Sequence, residues 1–190
     1  KGRARAAVSR RTGLRPRAAE DRKPPLCPAE LLPEKAELAG LLHDAAKSLT
    51  PDALRDFDIP EAQICRPTFR EYPKVWHAIV APVFLRHFFA IHDEAVLSAC
   101  QWHTTGKAQM SLLDKIIFVA DFIEPTRSFA KRSLYEELAY EDLSKTVFAI
   151  SKFSILKLTG LSAKIHPETV NCYNYYSSEV KCTKINELFV

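Results

Sequence analysis

Glycine is scarce in this chain, with 5 among 190 residues. Short strands alternating with turns are equally hard to find, which argues against a β-sandwich or barrel. No apolar run reaches the roughly 18 residues of a membrane span. No apolar stretch near the start reads as a secretory signal. The five cysteines (Cys27, Cys65, Cys100, Cys172 and Cys182) are widely spaced, odd in number and never form a Cys-x-x-Cys pair. A disulfide framework and a Cys-rich zinc site are therefore disfavoured, and a reducing cytoplasm fits best. The full Gly-x4-Gly-Lys-Ser/Thr pattern of a P-loop is missing, as is any Ser-His-Asp or Cys-His arrangement. What the chain does have is apolar mass: 47% of its residues are hydrophobic. That is enough for one domain with a sizeable core.

The formal net charge of +4 conceals an asymmetry. Residues 1–26 hold nine Lys and Arg against Glu20 and Asp21, a net +7, so the other 164 residues carry −3. Residues 1–30 lack any helical or strand period and contain Pro24-Pro25. They read as a basic, disordered leader. A nucleic-acid-binding arm and a transit peptide are the alternatives, but no aromatic residue is present for base stacking. Nucleic acid is therefore not the expected partner, and neither is a membrane. Residues 31–160 form the expected domain. Residues 161–190, polar and rich in Tyr, read as an extension, helix or coil.

Within the domain the periodicity is helical. Pro33 and Glu34 suit the start of a helix, and Leu38, Leu41, Leu42, Ala45, Ala46 and Leu49 follow at spacings of three and four up to Pro51. Residues 52–72 suggest a short helix and then a loop around Pro67. A helix from Pro73 to Phe89 contains Pro82, which costs ~3 kcal/mol unless a kink accommodates it. Asp93 can cap a helix from Glu94 to Thr104 that Gly106 ends. Ser111 can cap another from Leu112 to Glu124, stopped by Pro125. One long helix covers Ser133 to Thr159, with Gly160 as its stop.

Four groups of candidate ligands lie on four of these helices: His43-Asp44, His77, His103 and Asp121. Side chains projecting inward from facing helices are how a helical bundle builds a metal site. His43, Asp44 and Lys47 fall on the side of their helix away from the leucines, which is ordinarily a solvated face. An adjacent His and Asp can nevertheless share one metal, and mixed nitrogen and oxygen ligation suits Fe, Mn, Co or Zn. Asp121 sits inside Ile116-Ile117-Phe118-Val119-Ala120-Asp121-Phe122-Ile123. A carboxylate buried there needs a metal or a cationic partner. Asp114, in more polar surroundings, reads as surface. His103 can simply complement its helix dipole, and Thr104-Thr105-Gly106-Lys107 after it offers hydroxyls, a close-approach glycine and a cation for a phosphate. His77 alone is uninformative. His87, His92 and His166 read as structural, and in His92-Asp93 the Asp is better explained as a helix cap.

Ala39-Gly40-Leu41-Leu42-His43-Asp44-Ala45-Ala46-Lys47 resembles the signature of HD-domain metal phosphohydrolases. His103-Thr104-Thr105-Gly106, the run from Met110 to Arg127, and Leu138-Ala139-Tyr140-Glu141-Asp142-Leu143 are similar to the bacterial YqeK family of symmetrical bis(5'-nucleosyl)-tetraphosphatases. The resemblance covers about residues 33–160. It implies an all-α HD-domain helical bundle with a metal site between helices, holding two transition-metal ions. Iron is expected, with Mn, Co or Zn as alternatives. It also implies hydrolysis of diadenosine tetraphosphate, a dinucleoside polyphosphate, to two ADP. His43, Asp44, His77, His103 and Asp121 match metal ligands in that pattern. Thr104, Thr105, Gly106 and Arg127 match positions near the substrate phosphates. Asp44 could orient the attacking water, and Lys47, with Arg127, could offset substrate charge. A homodimer stays open.

Two departures accompany the resemblance. The family pattern has a further His, in an Arg-x-x-His run ahead of Pro33, whereas this chain has no His before His43. His77-Ala78-Ile79-Val80-Ala81-Pro82 also stands where His-Gly and then Gly-Ala are usual. The first departure implies a weakened second metal position. Two alternatives follow: an HD phosphohydrolase for another nucleotide, or an inactive remnant.

Overall fold

The structure is a computed structural model, and it describes residues 32–179. The leader therefore lies outside the described residues. So do the last eleven positions of the extension. Every regular element among the described residues is helical, as the periodicity predicts.

The first helix, α1 (Leu32–Leu42), is shorter than its leucine stripe suggests. After Leu42 the hydrogen bonds shift to i→i+3, from Ala45 N to Leu42 O, Lys47 N to Asp44 O and Leu49 N to Ala46 O. That tighter winding has about three residues per turn, so side chains after Leu42 leave the faces an α-helix would give them. Ala46 is completely buried, whereas Leu41, expected in the core, is 75% exposed.

Three short helices follow: α2 (Pro51–Asp56), α3 (Glu61–Ile64) and α4 (Arg66–Glu71). The loop expected around Pro67 is helical. Proline is tolerated in a first turn, where its missing N–H has no intrahelical partner in any case. Arg66 ties this region together by pairing with both Glu61 and Asp52. Helix α5 (Pro73–Phe89) runs through a buried Pro82 without breaking. Its Trp76 is anchored to Ile64 O by an indole hydrogen bond of 2.8 Å. Helix α6 (Glu94–Trp102) is capped by Asp93, which accepts from Ala95 N and Val96 N. Helix α7 (Leu112–Ile123) begins with a reciprocal capping box between Ser111 and Asp114.

The long helix expected from Ser133 to Thr159 is two helices, α8 (Arg132–Glu141) and α9 (Leu143–Gly160). Asp142 separates them in an extended conformation and caps α9 through Ser144 N and Lys145 N. Its short carboxylate competes with the helical ladder for local N–H groups, and apolar spacing alone does not register that. In the extension, α10 (Pro167–Glu179) buries Cys172 and Tyr176. Tyr176 accepts a hydrogen bond of 3.0 Å from Met110 N, just ahead of α7.

Two apolar clusters result. One gathers Trp76, Leu85, Val96, Leu97 and Cys100 around α1, α5 and α6. The other gathers Phe118, Tyr135, Val147, Phe148 and Tyr176 around α7 to α10. Helix α7 belongs to both: Leu113 and Ile117 face the first, Phe118 and Val119 the second. A helix apolar nearly all round is a buried helix. Asp121 is carried on it between the two clusters.

Candidate metal centre

His43 and Asp44 enter the site from the tight turns after α1. His77 comes from the second turn of α5, His103 from the C-terminal cap of α6, and Asp121 from the last turn of α7. The Nε2 atoms of His77 and His103 lie 3.2 and 3.5 Å from Asp44 Oδ1. His43 Nε2 is 3.6 Å from Asp44 Oδ2 and 3.8 Å from Asp121 Oδ1. The two buried imidazoles also approach each other, Nε2 to Nε2, at 3.3 Å. Ligand atoms of His43, Asp44 and His103 all lie within 4.8 Å of one another. His77 joins this triad through Asp44, and Asp121 joins it through His43.

The outer hydrogen bonds orient these rings. His103 Nδ1 lies 2.7 Å from Cys100 O, and His43 Nδ1 lies 2.6 Å from Gly40 O. A carbonyl only accepts, so each Nδ1 is the donor, and in a neutral ring Nε2 then presents a lone pair inward. His103 therefore both satisfies a helix-terminal carbonyl and projects into the site. Burial, with the neighbouring His103 adding to it, pushes His77 down to about 4, so its ring is neutral near pH 7. When a proton occupies His103 Nε2 in place of a metal, its hydrogen bond holds the Asp44 carboxyl well below the usual carboxylate range; burial opposes this, and Lys47 reinforces it. Inward lone pairs facing carboxylate oxygens at these distances repel unless a cation or a proton sits among them. This donor set fits a transition metal, and His43, Asp44, His77, His103 and Asp121 would hold it.

Charged neighbours complete the arrangement. Lys47 Nζ is 2.6 Å from Asp44 Oδ2, with the lysine side chain 61% exposed. Arg127 grips both oxygens of Asp121, at 2.6 and 2.7 Å. A carboxylate in an apolar run was expected to need either a metal or a cationic partner; Asp121 faces both the histidines and Arg127. His103 and Asp121 also line a cavity of about 530 Å³, together with Thr104 and Arg127.

Comparisons with known proteins place the chain in a family. The HD domain model covers residues 8–126, beginning inside the stretch read as a leader. A symmetrical bis(5'-nucleosyl)-tetraphosphatase of Staphylococcus aureus is 35% identical over 146 residues, 75% of this chain and 74% of that protein. Its Bacillus subtilis counterpart is 31% identical over 145 residues, 76% of this chain and 77% of that protein. The chain belongs to the HD-domain family of symmetrical bis(5'-nucleosyl)-tetraphosphatases. In three dimensions it is similar to an HD superfamily hydrolase of Clostridium acetobutylicum described as involved in NAD metabolism. The TM-score is 0.68 at 32% identity, over 77% of this chain and 78% of that one. Membership makes the chain a metal-dependent phosphohydrolase, and His43, Asp44 and His103 form a group that could hold a metal ion.

Three expectations need correction within this HD frame. Thr105 is 1% exposed, donates to Gly106 O and does not line the cavity. Gly106, at φ +62°, lies against the Cys172 and Phe118 side chains instead. Both shape the turn that follows His103, and neither lines the cavity. Of the Thr-Thr-Gly run, Thr104 alone reaches the cavity, and its Oγ1 is buried without a hydrogen-bond partner. Asp114, expected at the surface, is 1% exposed, because its capping oxygen turns inward to Ser111 N and lies 3.4 Å from Lys107. Sequence reasoning also missed Tyr72, Lys74, Lys157, Lys164 and His166, all of which line the cavity. They are scattered over three segments, and the only signal was the four-residue spacing of Phe153 and Lys157.

Proposed function

We propose that this chain hydrolyses diadenosine tetraphosphate at its central anhydride, releasing two ADP. The observation that carries the reading is the convergence of three imidazole Nε2 atoms and two carboxylates beside a cavity that Arg127 and Thr104 also line. The metal is iron, in two positions, with Mn, Co and Zn also suited to the mixed donor set. When bound, such cations activate a water molecule and neutralise the attacked phosphate.

The chain's own groups have separate tasks around them. Asp44, held ionised, accepts a hydrogen bond from the attacking water and orients it. Lys47 offsets the charge of the tetraphosphate. Arg127 presents a planar fork that matches a phosphate in bidentate fashion. Thr104 Oγ1, buried and unpartnered, supplies a hydroxyl to a phosphate oxygen. The water oxygen bonds to phosphorus and releases its proton to solvent, and the bridging oxygen leaves with the electron pair of the broken P–O bond. Attack at either central phosphorus therefore gives two ADP.

The chain has no His ahead of His43. The second metal position then has fewer protein ligands, and turnover is slow. Chromatography of the products from diadenosine tetraphosphate tests the reading. ADP as the sole product supports it, and ATP plus AMP refutes symmetrical cleavage. Turnover at the rate of a variant carrying an Arg-x-x-His helix ahead of Leu31 would show the extra His to be dispensable.

A further inference from the structure

Residues 124–131 connect α7 to α8 and carry Arg127, which reaches back to both oxygens of Asp121. Seven of these eight residues are exposed, and Phe129 alone turns inward. Its ring lies 4.9 Å from that of Phe122, 5.8 Å from Phe153 and 6.0 Å from Tyr135. Those three rings also meet one another, with Phe122 5.0 Å from Tyr135 and 5.4 Å from Phe153. Tilted and edge-on pairs at such separations attract beyond their buried area. Tyr135 is 1% exposed, so the cluster that receives Phe129 is core, drawn from α7, α8 and α9. Phe122 and Phe153 line the cavity beside the metal centre; Phe129 does not, and packs behind them.

Chain connectivity gives this contact a second consequence. Phe122 follows Asp121 directly, and Phe129 lies two residues after Arg127, at most about 7 Å of backbone away. The Phe122–Phe129 contact therefore closes the chain behind the Asp121–Arg127 pair. Between them the path is set locally: Pro125 has a fixed φ, and Arg127 N donates to Glu124 O at 2.9 Å. At the far end Arg132 Nη1 donates to Ile123 O at 2.8 Å, which ties the two ends of the loop together.

Resting on the hydrolase reading above, we propose that Phe129 is a positioning residue for the reaction. Its ring clasps the 124–131 loop onto the core and so holds the Arg127 guanidinium beside the centre, where a substrate phosphate arrives. Phe129 touches no reacting atom. A long side chain on an unclasped loop samples many positions and meets a phosphate seldom. On a clasped loop that ordering precedes binding, which is how a residue remote from the chemistry raises affinity.

The test is titration calorimetry of the full chain, supplied with Mn2+, using ADP as the probe. Arg127→Ala is expected to weaken ADP about tenfold, as loss of a bidentate phosphate contact does. Phe129→Ala is expected to weaken it about fivefold, and the double variant to bind within about twofold of Arg127→Ala alone, because the two changes remove one interaction. Phe129→Tyr keeps the ring and should bind ADP within about twofold of wild type. Trypsin should cut after Arg127 about tenfold faster in Phe129→Ala, read from fragment masses. Phe129→Leu, which keeps apolar bulk, stands in if the alanine variant does not fold, with smaller shifts in the same directions. Unchanged ADP binding in the Phe129 variants overturns the proposal. So does a loss that persists in the Arg127→Ala background, failure of Phe129→Tyr to retain affinity, or unchanged cleavage after Arg127. A wild-type chain that does not bind ADP, or an Arg127→Ala variant that binds it normally, removes the phosphate from Arg127 and overturns it as well. Product analysis with diadenosine tetraphosphate decides hydrolysis separately. A chain that shows the coupling and releases no ADP keeps the clasp and loses the proposed activity.

Discussion

Gly106→Ala probes how the turn after His103 is held. Gly106 has φ +62°, a left-handed conformation that costs a residue with a Cβ about 1–2 kcal/mol. A Cβ there would also lie 2.6 Å from Cys172 Sγ and 3.3 Å from both Cys172 Cβ and Phe118 Cε2. The first contact is too short for any relaxed pair. Both neighbours are buried, at 0% and 3% exposure, so neither can swing away without moving α10 or α7. Overpacking of this kind costs about 1–3 kcal/mol. Together the two effects predict a loss of about 2–5 kcal/mol, a large fraction of a domain's stability. Urea unfolding followed by circular dichroism measures it. A double-mutant cycle with Cys172→Ala separates the parts: removing Sγ relieves the clash and leaves the backbone strain. The double variant should be less destabilised than the sum of the singles by about 1 kcal/mol or more. If Gly106→Ala unfolds within about 0.5 kcal/mol of wild type, the described turn is wrong.

Asp44→Asn keeps the shape of the side chain and removes a charge shared among three imidazoles; it should cost about 100-fold or more in metal affinity, read by equilibrium dialysis. Retention of wild-type metal content would remove Asp44 from the ligand set. Arg127→Ala should free Asp121 from a cationic competitor, so metal binds about threefold tighter while KM for diadenosine tetraphosphate rises about tenfold; weaker metal binding would instead show that Arg127 helps build the centre. Asp93 has its pKa lowered chiefly by the hydrogen bond from Lys35, against opposition from burial, with further help from Val96 N. A carboxyl lowered on folding stabilises the fold above its unfolded value near 3.9 and loses that contribution as pH falls through the lower folded value. Asp93→Ala should therefore cost about 1 kcal/mol at pH 7, typical of a helix cap, and less by pH 3. Thermal melts at the two pH values measure the difference, and a gap that widens in acid would reverse the assignment.

The sequence by itself determined the all-helical class, because apolar spacing of three and four is a local property that tertiary contacts here reinforce. It also determined several helix ends, through Asp93, Ser111 and Pro125, whose side chains act on backbone groups a few residues away. The five candidate ligands could be named from the motif pattern, since a carboxylate within Ile116–Ile123 already needs a partner. Only the tertiary structure decided how they meet. His43 and Asp44 stand where the α-helix gives way to i→i+3 turns, and there they meet side chains from α5, α6 and α7. The break at Asp142 was hidden because a cap competes with the helix through hydrogen bonds, not apolar pattern. The fates of Thr105, Gly106 and Asp114 depended on α10 and Lys107, contacts that local reading does not contain. The cavity wall was the least legible part. Tyr72, Lys157 and His166 come together only because α9 runs beside α7 and its following loop folds back onto α5, and such non-local packing leaves no period in the chain.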